Sequence, residues 1–164
     1  MVTSLPEQLI ARAESLLRNS EVNEANVRRA VSSAYYALFH LLIRDAIANW
    51  RHADHHSRLV RTFDHNVMKN ASITLLKELG RTSAQETGDD VQSVRSNLLL
   101  VAQSFVDLQQ ARHKADYNIA GPFAPIDAAV EVAQARLAFT KWAEISQEPA
   151  AQGYLYSLLF KDRS

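Results

Sequence analysis

The sequence predicts an all-α fold, a bundle of four to five long helices with short extra ones in an up-and-down arrangement. Three observations carry this expectation. Apolar residues recur at steps of three and four along most of the chain, four Gly and four Pro fall where those patterns end, and no alternating strand pattern of useful length interrupts them. At 164 residues the chain has the size of one domain, so residues 1–164 are expected to close around a single core.

Each element follows from local pattern. Pro6 opens a first helix in which Leu9, Ala13, Leu16 and Leu17 share a side, and "RNSEVNEAN" ends it. Asn23 or Asn26 caps a long second helix that runs to about Trp50. After the polar connection "RHADHHS", Ser57 caps a third helix through Leu59, Val60, Phe63 and Val67 to about Leu79, with a break expected near "KNAS". "GRTSAQETGDD" reads as a loop. From about Asp90 the series Val94, Leu98, Val101, Phe105, Leu108 predicts a fourth helix to about Asn118, stopped by "AGPFAP". A fifth helix follows Asp127, with Val130, Ala133, Leu137 and Trp142 as its packing residues, and "AAQGYLYSLLF" forms a short last one.

The bulk numbers exclude several classes. Lys and Arg total 18 and Asp and Glu total 18, so no wholesale basic surface exists for duplex binding and any nucleic-acid contact must be local. With no cysteine there are no disulfides, thiolate metal ligands or Cys nucleophile. The N-terminus lacks a basic lead and an apolar run, so a cytoplasmic protein is expected. Apolar runs such as "NLLLVA" fall far short of the ~20 residues of a membrane span, so no membrane is expected as a partner. Glycine-rich phosphate loops, paired zinc histidines and nucleophile elbows are also absent from the sequence, and no cofactor is expected.

Two polar groupings remain to be explained. On the second helix Arg29, Ser33, Tyr36, His40 and Arg44 fall in one stripe opposite Val27, Val31, Ala34, Leu38, Leu41 and Leu42. A solvated face explains the arginines, whereas Tyr36 and His40 suit a stripe over which a subunit or ligand packs. Near the end of the fourth helix, in "QARHKADYN", Gln109, Arg112 and Asp116 share a face. Arg112 and Asp116 can pair at the surface for a few tenths of a kcal/mol, or the carboxylate can orient the planar Arg fork towards a phosphate. The tract "RHADHHSRLVRTFDH" is locally basic and can touch an anion. Its His52, His55 and His56 show no acidic second shell, so no metal site is expected.

Three stretches, "RRAVSSAYYALFHLL", "HHSRLVRTFDHNVMK" and "LQQARHKADYNIAGPFAPIDAAVEVAQARLAF", resemble in this order the small bacterial members of the HEPN superfamily over about residues 28–139. Ala30, Ser32, Tyr35, Tyr36, Ala37, Phe39 and His40 match the first motif, His56 and Phe63 the second, and Arg112, Ala115, Asp116 and Tyr117 the third. The resemblance implies a helical bundle that forms a homodimer with a cleft lined by the Arg-containing motif. It also implies binding of RNA or a nucleotide, and often a toxin-antitoxin setting with a nucleotidyltransferase-like antitoxin as partner. Many members are metal-independent ribonucleases, in which an Arg stabilises phosphate charge and a His a few residues later moves the proton. Here Tyr117 and Asn118 follow Arg112 and His113 is adjacent, about 100° away on a helix, so the expected His is missing. Catalytic candidates are therefore Arg112 and His40, and ligand-binding candidates are Arg112, Asp116, Tyr117, Tyr36, His40, Arg29, Ser33 and His56. The alternative expectation is a non-catalytic dimerisation or protein-interaction module.

Overall fold

A computed structural model of the protein describes residues 3–18, 22–81 and 88–160. Among them are seven α-helices and no strand: α1 (Leu5–Arg18), α2 (Glu24–Ala48), α3 (His56–Val60), α4 (His65–Arg81), α5 (Asp89–Tyr117), α6 (Pro125–Ile145) and α7 (Pro149–Ser157). The all-α bundle expected from periodicity is the architecture found. The loop predicted around "GRTSAQETGDD" lies largely outside the described residues, although Gly80 and Arg81 still belong to α4.

Local chemistry sets the helix ends. Ser4 donates from both its backbone N and its hydroxyl to Glu7 Oε2, at 2.9 and 2.8 Å, and so starts α1. Asn23, rather than Asn26, caps α2, its side-chain oxygen accepting from the Asn26 N–H at 2.9 Å. The expected third helix is two helices. Its break falls at residues 61–64 rather than near "KNAS", and Ser57 caps nothing. Asp64 is the capping residue, its Oδ1 accepting from the backbone of Asn66 and Val67 at 2.9 and 3.0 Å. Two N–H groups satisfied by one carboxylate make a stronger start signal than a single serine within the preceding turn.

α2 lies at the centre, packed against α1, α5 and α6. Ala30, Ala34 and Ala37 on α2, Ala102 on α5, and Ala135 and Ala138 on α6 are fully buried and let the helix axes approach closely. Tyr35, Leu38, Leu42, Leu98, Phe105, Leu108 and Trp142 fill the space between them. Truncating one of these to Ala costs about 2–5 kcal/mol. α6 buries Ala128, Val132, Ala135, Ala138, Trp142 and Ile145, whereas Val130 (57% exposed) and Leu137 (45% exposed) face outwards with Ala133. Of the packing residues expected on this helix only Trp142 is in the core, because the small-residue stripe fits the narrow gap beside α2 and the larger stripe does not.

Cross-helix bonds fix directions. Arg28 at the start of α2 meets the end of α5, and Gln109 late in α5 meets the start of α4, so α5 runs antiparallel to both. α2 and α4 therefore point the same way, and residues 49–64, with a 3₁₀ turn at Ala53–His55 and α3, carry the chain back along about half of α2. The return path places His65 beside Tyr35, near the middle of α2.

Candidate functional site

The last turns of α5 are held in place by Arg28. Its Nη1 donates to the carbonyls of Ala115 and Asn118 at 2.8 and 3.0 Å, its Nη2 donates to Gly121 at 2.7 Å, and Glu24 pairs with it at 2.7 Å. Ala115 belongs to the last turn of α5, whose carbonyls lack intrahelical partners, and Asn118 and Gly121 lie in the cap and turn that follow, so one guanidinium both closes α5 and binds it to α2. Arg112, Asp116 and Tyr117 are thereby presented to the polar side of α2.

Arg112 is buried to 17% exposure and half enclosed by aromatic rings, with its guanidinium carbon 5.7, 5.4 and 5.8 Å from the ring centres of Tyr35, Tyr36 and Tyr117. Nη2 donates to the Tyr36 hydroxyl at 3.1 Å. Nε lies 2.9 Å from Asp116 Oδ2 as an ion pair, but its N–H is not directed along the contact and makes no true hydrogen bond. The other Asp116 oxygen accepts a short hydrogen bond from Ser32 Oγ. Burial acts against the charge on Arg112, and Tyr36, Asp116, Tyr117 and Tyr35 outweigh it, so its pKa is raised. The guanidinium is a fixed, permanent cation with donor capacity unspent.

His65 comes to the same place from α4, positioned by the Asp64 cap. Its ring stacks on Phe39 at 4.3 Å, meets Tyr36 edge-on at 6.0 Å, and shares a 2.5 Å hydrogen bond between Nδ1 and the Tyr35 hydroxyl. Burial, and then the nearby Arg112 charge, lower the His65 pKa, while Asp64 partly opposes them. His40, whose ring lies 6.2 Å from that of Tyr36, is lowered by burial and by His65. Burial raises the Tyr35 hydroxyl pKa, so it stays protonated. In the neutral tautomer whose Nδ1–H donates to the Tyr35 oxygen, Nε2 is the acceptor nitrogen available for proton transfer; with the phenol as donor, Nε2 carries the hydrogen instead.

A cleft of about 710 Å³ opens between α4 and α5, lined by His65, Lys69, Gln109, Arg112, His113 and Tyr117 among others. Lys69 and Arg112 are the cations of its lining, which includes no carboxylate, and Asp116 pairs with Arg112 behind it. Gln109 donates to the His65 carbonyl at 3.2 Å, and its buried Oε1 has no partner.

Of the residues singled out from sequence, the structure groups Arg112, Asp116, Tyr117, Tyr36 and His40. It does not bring in His56, whose Nε2 bonds the Trp50 carbonyl at 2.8 Å at the other end of α2. Arg29 and Ser33 make no bond to the cluster; the neighbouring Ser32 does. Arg44 pairs with Asp45 at 2.8 Å, far along the helix. Sequence reasoning missed His65, Lys69 and the Tyr35–His65 bond. The available signal was the Asp64 cap directly before His65. Among the described residues no group of three or more His, Asp or Glu could hold a metal ion, and no helix is long and apolar enough to cross a membrane. Compared with protein-family models, curated proteins and solved structures, the chain matches none.

Proposed function

We propose that the cleft between α4 and α5 binds the phosphate of RNA or a nucleotide, with Arg112 as the group that reads it. The observation that carries this reading is an under-bonded guanidinium, paired on one side with Asp116, in a cleft whose lining adds Lys69 as a second cation and no carboxylate. Arg112 presents a planar fork suited to a phosphate, Asp116 orients it, Lys69 adds a second cation, and Tyr117 offers a face on which a base can stack. The resemblance to HEPN proteins extends the proposal to a homodimeric cytoplasmic protein that works beside a nucleotidyltransferase-like antitoxin.

Cleavage belongs to this proposal through His65. A neutral His65, in the tautomer whose Nδ1–H donates to the Tyr35 oxygen, accepts at Nε2 the proton of a ribose 2′-hydroxyl as its oxygen bonds to phosphorus, the bond from phosphorus to O5′ breaks, and O5′ leaves with a proton from water. Arg112 stabilises the charge that builds on the phosphoryl oxygens. His65 would thus supply from α4 the imidazole missing after Arg112 on α5. The test is binding and cleavage of labelled single-stranded RNA without metal, beside Arg112→Ala and His65→Ala. Loss of binding in the first and loss of cleavage with binding kept in the second are expected. Full affinity in a folded Arg112→Ala protein sinks the assignment.

A second reading, a non-catalytic dimerisation or protein-interaction module, is favoured by Tyr117 and Ile119, which stand exposed beside the cleft. It predicts no RNA binding, and loss of the dimer when Tyr117 is replaced by Asp.

A further inference from the structure

The basic tract that joins α2 to α4 takes no part in the cleft described above. Arg51, Arg58 and Arg61 lie within it, all exposed, together with the exposed His52 and His55. Its carboxylates are Asp54, which is exposed, and Asp64, whose Oδ1 caps α4. No hydrogen bond or ion pair joins the side chain of Arg58 or Arg61 to a described residue.

Two anchors fix where this tract runs. His56 Nε2 bonds the Trp50 carbonyl at 2.8 Å at the C-terminal end of α2, and His65 bonds the Tyr35 hydroxyl and stacks on Phe39 near the middle of the same helix. Between the anchors Leu59 and Phe63 turn towards Ile47 of α2, with which they line an apolar hollow. Arg61 stands about 200° round the helix from Leu59 and so faces away from α2, with Arg58 one turn before it. The level of Tyr36 and that of Trp50 are about 21 Å apart along α2, at ~1.5 Å per residue. Arg58 and Arg61 therefore lie on a path that leads from the end of α2 to the cleft. Arg61 precedes His65, which lines the cleft, by four residues, so their Cα atoms are at most about 14 Å apart. Lys69 follows one turn into α4, inside the cleft.

We propose that this tract is an outer arm of the phosphate site: a single RNA strand with one phosphate at Arg112 continues out of the cleft over α3, and Arg61 and then Arg58 pair with its next phosphates. The proposal rests on the reading of the cleft as a phosphate site and narrows its ligand to a strand of several nucleotides rather than a free nucleotide.

The test compares a twelve-nucleotide 2′-O-methyl RNA with a 5′-phosphorylated 2′-O-methyl dinucleotide, both inert to cleavage through a 2′-hydroxyl, by anisotropy and calorimetry on the full chain over a range of salt. The longer probe is expected to bind the parent about tenfold or more tighter. Arg58→Ala combined with Arg61→Ala is expected to remove that advantage and to leave the dinucleotide unchanged. It is also expected to reduce the slope of log affinity against log salt by about 1.4 for the longer probe, ~0.7 for each of two phosphates. Arg12→Ala combined with Lys77→Ala deletes the same charge at two other exposed positions and is expected to alter neither probe. Equal affinity of the two probes for the parent overturns the arm, as does an advantage that survives the Arg58 and Arg61 substitutions or falls equally in the Arg12 and Lys77 variant. In each of these cases the dinucleotide still reports on the cleft by itself. Dinucleotide binding that is absent, or that withstands Arg112→Ala, overturns the reading of the cleft and the arm with it.

Discussion

Arg28 and Arg112 sit on the same seam between α2 and α5, at nearly equal side-chain exposure, 16% and 17%, yet they are held in opposite ways. Arg28 is saturated: three backbone carbonyls and a glutamate take its N–H groups in good geometry. Arg112 is surrounded by tyrosine faces, has one hydroxyl acceptor, and meets its carboxylate out of line. A buried guanidinium whose donors are all taken by the main chain serves the fold. One whose donors are held ready but unspent can serve a ligand.

That contrast can be broken. Arg28→Ala leaves carbonyls of the last turn of α5 and of the turn after it without this partner, so a loss of about 2–4 kcal/mol is expected, read as a drop in thermal and denaturant midpoints. Arg112→Ala is expected to lower RNA or nucleotide affinity by more than about tenfold while costing no more than about 1 kcal/mol of stability, as befits a half-satisfied group. Equal destabilisation by the two substitutions erases the distinction. Arg112→Lys sharpens it, since an ammonium restores the charge but not the fork, and affinity is not expected to return.

The pH dependence addresses the partners of Arg112. His65 and His40 have folded pKa values below 6.5, so below that pH the unfolded chain binds protons that the native chain does not. Their contribution to stability is therefore complete above about pH 6.5 and lost as pH falls from there through the lowered folded values. Midpoints measured between pH 7.5 and 5.5 should fall with acid, and less so in His65→Gln. A slope unchanged by His65→Gln would remove His65 from the buried, Arg-facing environment. The smallest effect is expected for Tyr36→Phe, which deletes the acceptor of Arg112 Nη2 but keeps the ring, with affinity falling a few-fold, about 0.5–1.5 kcal/mol.

Much of this was legible in the residues. Spacing gave the helices in order, and i, i+4 geometry placed Arg112 with Asp116 and Tyr36 with His40. His65 was not legible, because its position depends on residues 49–64 turning back along α2, a path no local pattern encodes. The orientation of α6 was misread for a different reason. That helix carries two apolar stripes, Ile126, Val130, Ala133 and Leu137 on one side and Ala128, Val132, Ala135 and Ala138 on the other. Hydrophobicity favours the first, but the space beside α2 admits only the second. Ser32, one residue from the predicted Ser33, was likewise decided by where the Asp116 carboxylate lies across the seam.

The Arg28 clamp also sets an order of events in folding. Its carbonyl partners lie 87 to 93 residues along the chain, so the clamp can close only after a long loop has been brought together. The α1–α2 and α5–α6 hairpins are nearer in sequence and should form first. Substitutions at Arg28 are then expected to speed unfolding with little change in the refolding rate, and stopped-flow kinetics on Arg28→Ala would show whether the clamp is a late step.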